Sequence, residues 1–386
     1  MPVFILCCLF APKVFWRGFF MVNNKDIKFM QRAIDLSLRG YGYVNPNPLV
    51  GSVLVKNGKI IGEGWHQYFG GPHAEVNAMN DTLTSIEGST LYVTLEPCNH
   101  HGKTPPCTDL IINKGVSRVV VGIIDPNNLV NGQGITRLKH AEIKVDVGVL
   151  EDEIKKINEF YFKFIQTATP FCAIKTAMTL DGKIATCNGE SKWISNNKSR
   201  QWVHELRHRY ASIMVGVNTI IADNPLLTDR SVHLTKKNPL RIIVDSTGRI
   251  PINSKVLDTS VAKTLLAVTG KIPSTTVNNY KQMGVNTIIC PENNGRIDLT
   301  FLVRKLGEIG IDSVLIEGGS TLNFSALQAG IIDKIYTFIS PKLIGGESAL
   351  TPVGGAGFQS IDEAVTLSIE KIHRFDEDLM VEAYIN

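Results

Sequence analysis

The triplet His73-Ala74-Glu75, followed by Pro97-Cys98 and, nine positions on, by Cys107, constrains this chain more than any other feature. An imidazole, two thiols and a carboxylate are the residue types a water-activating Zn²⁺ site needs: three protein ligands, an open fourth position and a nearby proton shuttle. For these side chains to act together, separate strand-to-helix junctions must fold onto one point. The pattern around them supports such junctions. Pro72 stands at the start of a helix predicted from His73 to about Leu83, Leu91 to Leu95 reads as a strand, and Pro106 to Asn113 reads as a helix that opens beside Cys107.

Backbone N–H groups at a helix start lower a thiol's pKa and favour the thiolate that binds metal. One neutral imidazole and two thiolates bring a bound dication to zero formal charge and leave it enough Lewis acidity to ionise water near neutral pH. Glu75 is then free to take the water proton and hand it to a ring nitrogen and a leaving amine, so the net reaction is hydrolytic loss of ammonia. Plainer readings exist. A lone His-x-Glu is common, and two cysteines nine apart could be buried thiols or half of a structural zinc site. A closed structural site needs four ligands, and only His100 and His101 stand nearby to complete one.

The rest of the chain alternates strands and helices, which implies an α/β layer fold. Ile27, Met30, Ile34 and Leu38 recur at helical spacing until Gly40. Val50–Val55 and Ile60–Trp65 read as a hairpin around Asn57-Gly58. Val116–Ile124 and Ile143–Val147 are expected to be extended, with a helix over Ile135–His140. Glu151–Phe164 reads as one helix, and Thr167-Ala168-Thr169-Pro170 breaks the pattern, so a domain boundary is expected there. From Phe171 onward strands dominate, with helices over Ser199–Tyr210, Leu299–Ile309 and Thr321–Ala329.

At 386 residues the chain can hold two domains, each with its own core. A net charge of +4 without a Lys/Arg block fits an anionic small molecule and supplies no basic, aromatic-rich stripe for nucleic acid. Seven cysteines, spread thinly, argue for a reducing compartment, here the cytoplasm, with Cys98 and Cys107 as ligands and Cys172, Cys187 and Cys290 as buried thiols. The apolar run Val3–Ala11 is too short to span a bilayer and lacks the preceding basic residue of a secretory signal. We read residues 1–20 as an upstream extension, with Met21 as the natural start.

Thr94-Leu95-Glu96 leading into Pro97-Cys98, with the stretched spacing to Cys107, closely resembles the deaminase half of the bifunctional pyrimidine deaminase/reductases of riboflavin biosynthesis. Residues 171–386 resemble the reductase half, through Lys175-Thr176-Ala177-Met178-Thr179-Leu180-Asp181-Gly182-Lys183-Ile184-Ala185, Gly189-Glu190-Ser191-Lys192-Trp193-Ile194-Ser195, Gly216-Val217-Asn218-Thr219, Ala222-Asp223-Asn224-Pro225-Leu226-Leu227-Thr228 and Glu317-Gly318-Gly319-Ser320-Thr321-Leu322. The resemblance implies a cytidine-deaminase-like three-layer αβα domain over residues 21–168 and a dihydrofolate-reductase-like α/β domain over 169–386. It implies Zn²⁺ on His73, Cys98 and Cys107 with Glu75 as proton shuttle, and a pocket shaped by the insertion that carries His100, His101 and Lys103.

For the second half it implies NADPH against Ala177, Trp193, Thr219, Asp223, Ser246 and the run Gly319, Ser320, Thr321, Leu322, Asn323, Phe324, Ser325. Ser191, Arg207, Leu227, Arg230 and Glu317 are expected around the substrate, with Arg207 and Arg230 suited to grip a ribose phosphate bidentately. Asn47, in the loop fixed by Pro46 and Pro48, is expected to present a donor and an acceptor to the pyrimidine edge. Lys175 and Asp181 are candidates to polarise or protonate the sugar. No G-x-G-x-x-G follows a first strand, which argues against a Rossmann domain, whereas Gly318-Gly319 before a helix suits a phosphate. The expected partners are a small phosphoribosylaminopyrimidine and a second copy of the chain, without nucleic acid or membrane. A monofunctional deaminase whose second domain only binds or scaffolds is the rival reading, and Lys175, Asp181, Asp223 and Glu317 argue against it.

Overall fold

The computed structural model describes residues 24–100, 105–233 and 237–386. The extension read over residues 1–20, and His101 and Lys103, lie outside the described residues.

The amino-terminal part runs α1 (Asn24–Ser37), β1 (Gly51–Lys56), β2 (Lys59–Trp65), α2 (Ala74–Asp81), β3 (Thr90–Leu95), α3 (Cys107–Asn113), β4 (Arg118–Ile123), α4 (Gln133–His140), β5 (Lys144–Val147), α5 (Glu151–Ile157) and α6 (Glu159–Thr167). Its five strands lie in the order β2-β1-β3-β4-β5, with β1 antiparallel to both neighbours and β3, β4 and β5 parallel. Both faces of this sheet are buried, because strand side chains alternate. Val120 of β4 points to a core built with Met30, Ala33 and Ile34 of α1 and Ile154 of α5. Val119 and Val121 point the other way, to Ala78 of α2, Ile111 of α3 and Leu138 of α4. The result is three layers, helix–sheet–helix.

The carboxy-terminal part runs β6 (Phe171–Thr179), α7 (Asn197–Arg209), β7 (Ser212–Gly216), α8 (Val217–Asp223), β8 (Leu240–Val244), β9 (Thr264–Thr269), α9 (Ser274–Gln282), β10 (Asn286–Cys290), the small pair β11 (Glu292–Asn293) and β12 (Arg296–Ile297), α10 (Leu299–Glu308), β13 (Ser313–Ile316), α11 (Ser320–Gln328), β14 (Lys334–Ser340), β15 (Leu367–Phe375) and β16 (Asp378–Ile385). Nine strands form one sheet, β10-β9-β8-β7-β13-β6-β14-β16-β15, parallel as far as β14 and antiparallel over β16 and β15. Cys172 and Ile174 of β6 face α10 and α11, while Phe171 and Ala173 face α7.

Two expectations change. The helix read over Glu151–Phe164 is two helices, broken at Asn158. The Asn158 side chain is engaged elsewhere: its oxygen accepts from Leu49 N at 2.7 Å and its amide donates to Leu49 O at 3.1 Å. An Asn that bonds a distant backbone segment in this way replaces a helical turn with a clamp. Cys187 is exposed, whereas Cys172 and Cys290 are buried, because Cys187 sits in a turn in which Gly189 N bonds back to Thr186 O.

Helix α6 serves both parts. Tyr161 belongs to the amino-terminal core, and its hydroxyl donates to Asp125 Oδ1 at 2.9 Å. Phe160, its neighbour, packs on Phe171 and Tyr210 with centroids 5.1 and 4.5 Å apart. Lys334 Nζ of β14 bonds Glu159 at 3.0 Å and Glu382 at 2.7 Å. Among the described residues no helix is long and apolar enough to cross a membrane.

Candidate active sites

The structure brings His73, Cys98 and Cys107 together: their ligand atoms all lie within 4.8 Å of one another. His73 caps α2, Cys98 follows β3 and Cys107 opens α3. His73 Nδ1 is 3.2 Å from Cys107 Sγ and 3.5 Å from Cys98 Sγ. Donors sharing one tetrahedral Zn²⁺ sit roughly 3.5–3.8 Å apart, given metal–ligand distances near 2.0–2.3 Å. The donor chemistry and its spacing therefore fit a zinc ion.

The three groups compete for protons. The Cys107 thiol bonds to Cys98 and holds it down at about 4, while burial pushes against that shift. Cys98 in turn lifts His73 to about 9. Cys107 is pushed well up by its bond to Cys98 and by burial. The Cys107 backbone N–H also donates to Cys98 Sγ at 3.4 Å, the helix-start effect expected from the sequence. A dication among these groups displaces the protons they share. Glu75, in the first turn of α2, is 3% exposed, and burial raises its carboxyl above the ordinary range.

Two supports of this site were missed in the sequence. His66 Nδ1 lies 3.0 Å from the Pro72 carbonyl, which can only accept, so Nδ1 donates and Nε2 accepts from Asn47 Nδ2 at 3.0 Å. The His66 ring stands edge-on to His73, with centroids 5.9 Å apart. Asn47 is thereby tied to the ring that stands against His73. Glu96, buried next to Pro97-Cys98, accepts from Gly134 N (3.0 Å), Ile135 N (3.2 Å), Gly132 N (2.9 Å) and Asp125 N (3.3 Å). It ties the segment before α4 to the Cys98 strand end. The sequence showed Glu96 only as part of the Thr94-Leu95-Glu96 lead-in, with no sign of these partners.

The second site is a cavity of about 1060 Å³ at the carboxyl ends of the parallel strands. Ala177, Trp193, Thr219, Asp223, Ser246, Gly319, Ser320, Thr321, Leu322, Asn323 and Ser325 line it, as do Ser191, Arg207, Leu227, Arg230 and Glu317. The side chain of Phe324 turns away: it is 4% exposed and packs on Phe358 at 5.4 Å. Its position on the far side of α11 follows from helical periodicity. Gly318 and Gly319 have φ of +133° and +88°, conformations open to glycine, and they lead straight into the start of α11.

Arg207 is not a free phosphate clamp. Its Nε and Nη2 already bond both oxygens of Glu317, at 2.6 and 2.8 Å. Arg230, also in the cavity lining, is exposed. Burial would raise Glu317, but Arg207 outweighs it and the carboxyl sits low. Lys175 Nζ is 4.0 Å from Glu317, and burial lowers its pKa. Asp181 has a different job from the one expected. Its carboxylate accepts from Gly345 N at 2.6 Å, Ile344 N at 3.1 Å and Thr179 Oγ1 at 2.5 Å, and these bonds, the Thr179 bond first, hold it at about 2. A carboxylate so committed anchors a turn and does not give a proton to a sugar.

Comparison with known proteins finds a match for each half of the chain. Residues 23–123 match the family described as "Cytidine and deoxycytidylate deaminase zinc-binding region", and residues 170–381 match the "RibD C-terminal domain". The riboflavin biosynthesis protein RibD of Actinobacillus pleuropneumoniae is 46% identical over 357 residues, covering 92% of this chain and 94% of that protein. The RibD protein of Aquifex aeolicus is 42% identical, covering 94% of this chain and 99% of its own. The crystal structure of a diaminohydroxyphosphoribosylaminopyrimidine deaminase/5-amino-6-(5-phosphoribosylamino)uracil reductase from Thermotoga maritima superposes with a TM-score of 0.83 at 38% identity, covering 94% of this chain and 99% of that one.

Proposed function

The chain belongs to the RibD family of riboflavin biosynthesis, a zinc-dependent deaminase and an NADPH-dependent reductase in one polypeptide, and on that premise we propose how its residues divide the work. His73, Cys98 and Cys107 hold the zinc, which supplies Lewis acidity for water when bound. The substrate is 2,5-diamino-6-(5-phosphoribosylamino)pyrimidin-4-one, the chemistry named for the Thermotoga relative. Asn47, oriented by His66, reads the edge of its ring. Glu75 takes one proton from water and passes it to the ring nitrogen, then carries the second, from the added hydroxyl, to the departing amine, and its raised pKa suits a group that must both accept and release. Ammonia leaves and the uracil ring remains.

In the second cavity NADPH, when bound, supplies hydride to the ribosyl carbon that becomes ribityl. Gly319 and the start of α11 would hold its phosphates, and Ala177, Trp193, Thr219, Asp223 and Ser246 of the same cavity would hold the rest of it. Arg230 takes the substrate phosphate, Ser191 and Leu227 border the sugar, and Arg207 holds Glu317 in place. Lys175, with a lowered pKa beside Glu317, is the group on hand to give a proton to the opening sugar.

The observation that carries this reading is the convergence of His73, Cys98 and Cys107 beside buried Glu75, in the same chain as a cavity large enough for a dinucleotide. We place the division between the units at 167–170 and the enzyme in the cytoplasm, consistent with the free thiols of Cys98, Cys107, Cys172, Cys187 and Cys290. We also read it as a homo-oligomer. The supporting feature is the sheet edge at β15, where Ile369 and Ile372 are 63% and 59% exposed. The test of function is direct: incubation with the diaminopyrimidine phosphate, with and without NADPH, and identification of products by mass. Ammonia release without NADPH and a reduced product only with it are the expected results. Deamination that proceeds while NADPH is never consumed would restore the monofunctional alternative.

A further inference from the structure

Helix α7 presents His204, Arg207 and His208 at spacings of three and four, hence on one face. All three grip the same short segment. Arg207 Nη1 donates to Thr228 O at 3.2 Å, and Arg230 N donates to His204 Nδ1 at 3.3 Å. His208 Nδ1 meets Asp229 Oδ2 at 2.9 Å, with both side chains essentially inaccessible, at 1% and 0% exposed. Asp229 Oδ1 also accepts from Ser231 N at 2.7 Å. This segment carries Leu227 and Arg230 to the wall of the reductase cavity.

Among the described residues, His208 is the one of the three that also reaches the amino-terminal part. Its Nε2 lies 3.0 Å from the Tyr41 carbonyl. Tyr43 packs edge-on against the ring at 4.9 Å, and His233 stacks on it at 4.1 Å. Both nitrogens and both faces of the imidazole are therefore fixed. The strand of chain that supplies Tyr41 and Tyr43 continues through Asn45, whose amide donates to buried Asp312 at 2.7 Å, to Asn47 and to Leu49 on the Asn158 clamp. One end of this segment presents Asn47 at the deaminase site, and the other end is seated on His208 behind the reductase site. A buried ionisable pair is weak evidence for stability, since apolar groups serve as well, and setting a register is its better-attested use.

We propose that His208 is a positioning residue for the reduction: seated against Tyr41–Tyr43 of the deaminase unit, it holds Asp229 and thereby sets Leu227 and Arg230 against the substrate. The proposal rests on the reading that Leu227 and Arg230 face the substrate. None of His208, Asp229 or Tyr41 touches the reacting atoms. The consequence is that a change in the deaminase unit, remote from the reductase cavity, alters how the reductase binds its substrate.

Gly42 gives the sharpest probe. Its φ is +75°, and a Cβ there would come within 2.3 Å of the His208 carbonyl and 2.8 Å of its ring, so Gly42→Ala pushes the segment off His208 without substituting any cavity residue. The experiment uses the full-length protein, with the deaminated intermediate supplied directly and NADPH absorbance followed. For Gly42→Ala and for Asp229→Asn, KM for the intermediate is expected to rise about tenfold, the equivalent of one charge-assisted hydrogen bond. Both kcat and the KM for NADPH should stay within about twofold, because uniform substrate binding alone is weakened. A purely structural role would lower the melting temperature and the active fraction without moving KM.

Arg230→Ala, run alongside, separates the two layers of the claim. If it leaves KM for the intermediate unchanged, the reading of the substrate segment fails. If it raises KM while soluble Asp229→Asn and Gly42→Ala both keep the parental value, the assignment of His208 is overturned and the substrate reading stands. Should Gly42→Ala be insoluble, Asp229→Asn and His208→Gln carry the same test, with the same two results deciding it.

Discussion

The two sites differ in what makes them. The deaminase site is four side chains delivered by helix starts and a strand end: His73, Cys98 and Cys107, whose ligand atoms lie within 4.8 Å of one another, and buried Glu75 beside them. The reductase site is a cavity whose walls come from β6, the segment before α7, α7 itself, the β7–α8 junction and the β13–α11 turn. One is specified by donor chemistry and the other by backbone shape with Glu317 buried between Arg207 and Lys175 in its wall. A site of the first kind fails when one ligand is lost. A site of the second kind is tolerant at most positions and sensitive where backbone or a buried charge is disturbed.

The largest effect should come from the first kind. Cys98→Ser combined with Cys107→Ser should lose its zinc and reduce ammonia release to background, while the reductase still turns over supplied intermediate. Metal analysis showing stoichiometric zinc in that double mutant contradicts the ligand assignment. Next is Glu317→Gln, which leaves buried Arg207 and Lys175 without their counter-charge. Breaking such a pair costs on the order of 3–5 kcal/mol. A marked fall in melting temperature and in reduction is expected, with zinc content unchanged. A variant as stable as the parent would show that Glu317 does not hold the cavity wall.

Gly319→Val should follow. At φ +88° a β-branched side chain is strained by roughly 1–3 kcal/mol, enough to weaken NADPH about tenfold or more. Titration of cofactor fluorescence measures this, and parental affinity would move the phosphate site elsewhere.

The smallest effect tests the frame of the deaminase unit. Asp26 accepts from Arg118 at 2.8 and 2.9 Å and from Tyr92 at 2.7 Å, and the Arg118 bonds, above all, hold its carboxyl low. A depressed folded pKa gives stability that is present above the ordinary carboxylate value and lost as pH falls through the folded one. Asp26→Asn should cost about 0.5–1.5 kcal/mol at pH 7, since the amide oxygen still accepts and only the charge is lost. The gap to the parent should close on acidification below about pH 4. A gap that persists at low pH would mean the loss comes from packing and not from the ion pair.

The same contrast explains what the sequence could disclose. Ligand spacing, the Asn57-Gly58 hairpin and the alternation of strands were legible because each is a local rule. The break at Asn158 was not, because its cause is Leu49, far away in the chain. Arg207 looked like a phosphate clamp because nothing in its helix announces Glu317 as its partner. Phe324 was carried along with its neighbours until α11 fixed which of them face the cavity. Short α8 and the polar α9 gave too little periodicity to be found. His208 carried no signal at all, since its meaning lies in two contacts from opposite halves of the molecule.

The central claim is that one chain holds two chemically separate sites joined by shared packing. Glu75→Gln addresses it most directly, because it removes the proton shuttle and leaves charge-neutral shape behind. With the diaminopyrimidine phosphate as substrate, its deamination should fall by roughly 10²- to 10⁴-fold, the usual worth of general acid–base catalysis. With the deaminated intermediate and NADPH, the same protein should reduce at the parental rate. Near-normal deamination, or failure to reduce the supplied intermediate, would contradict the account.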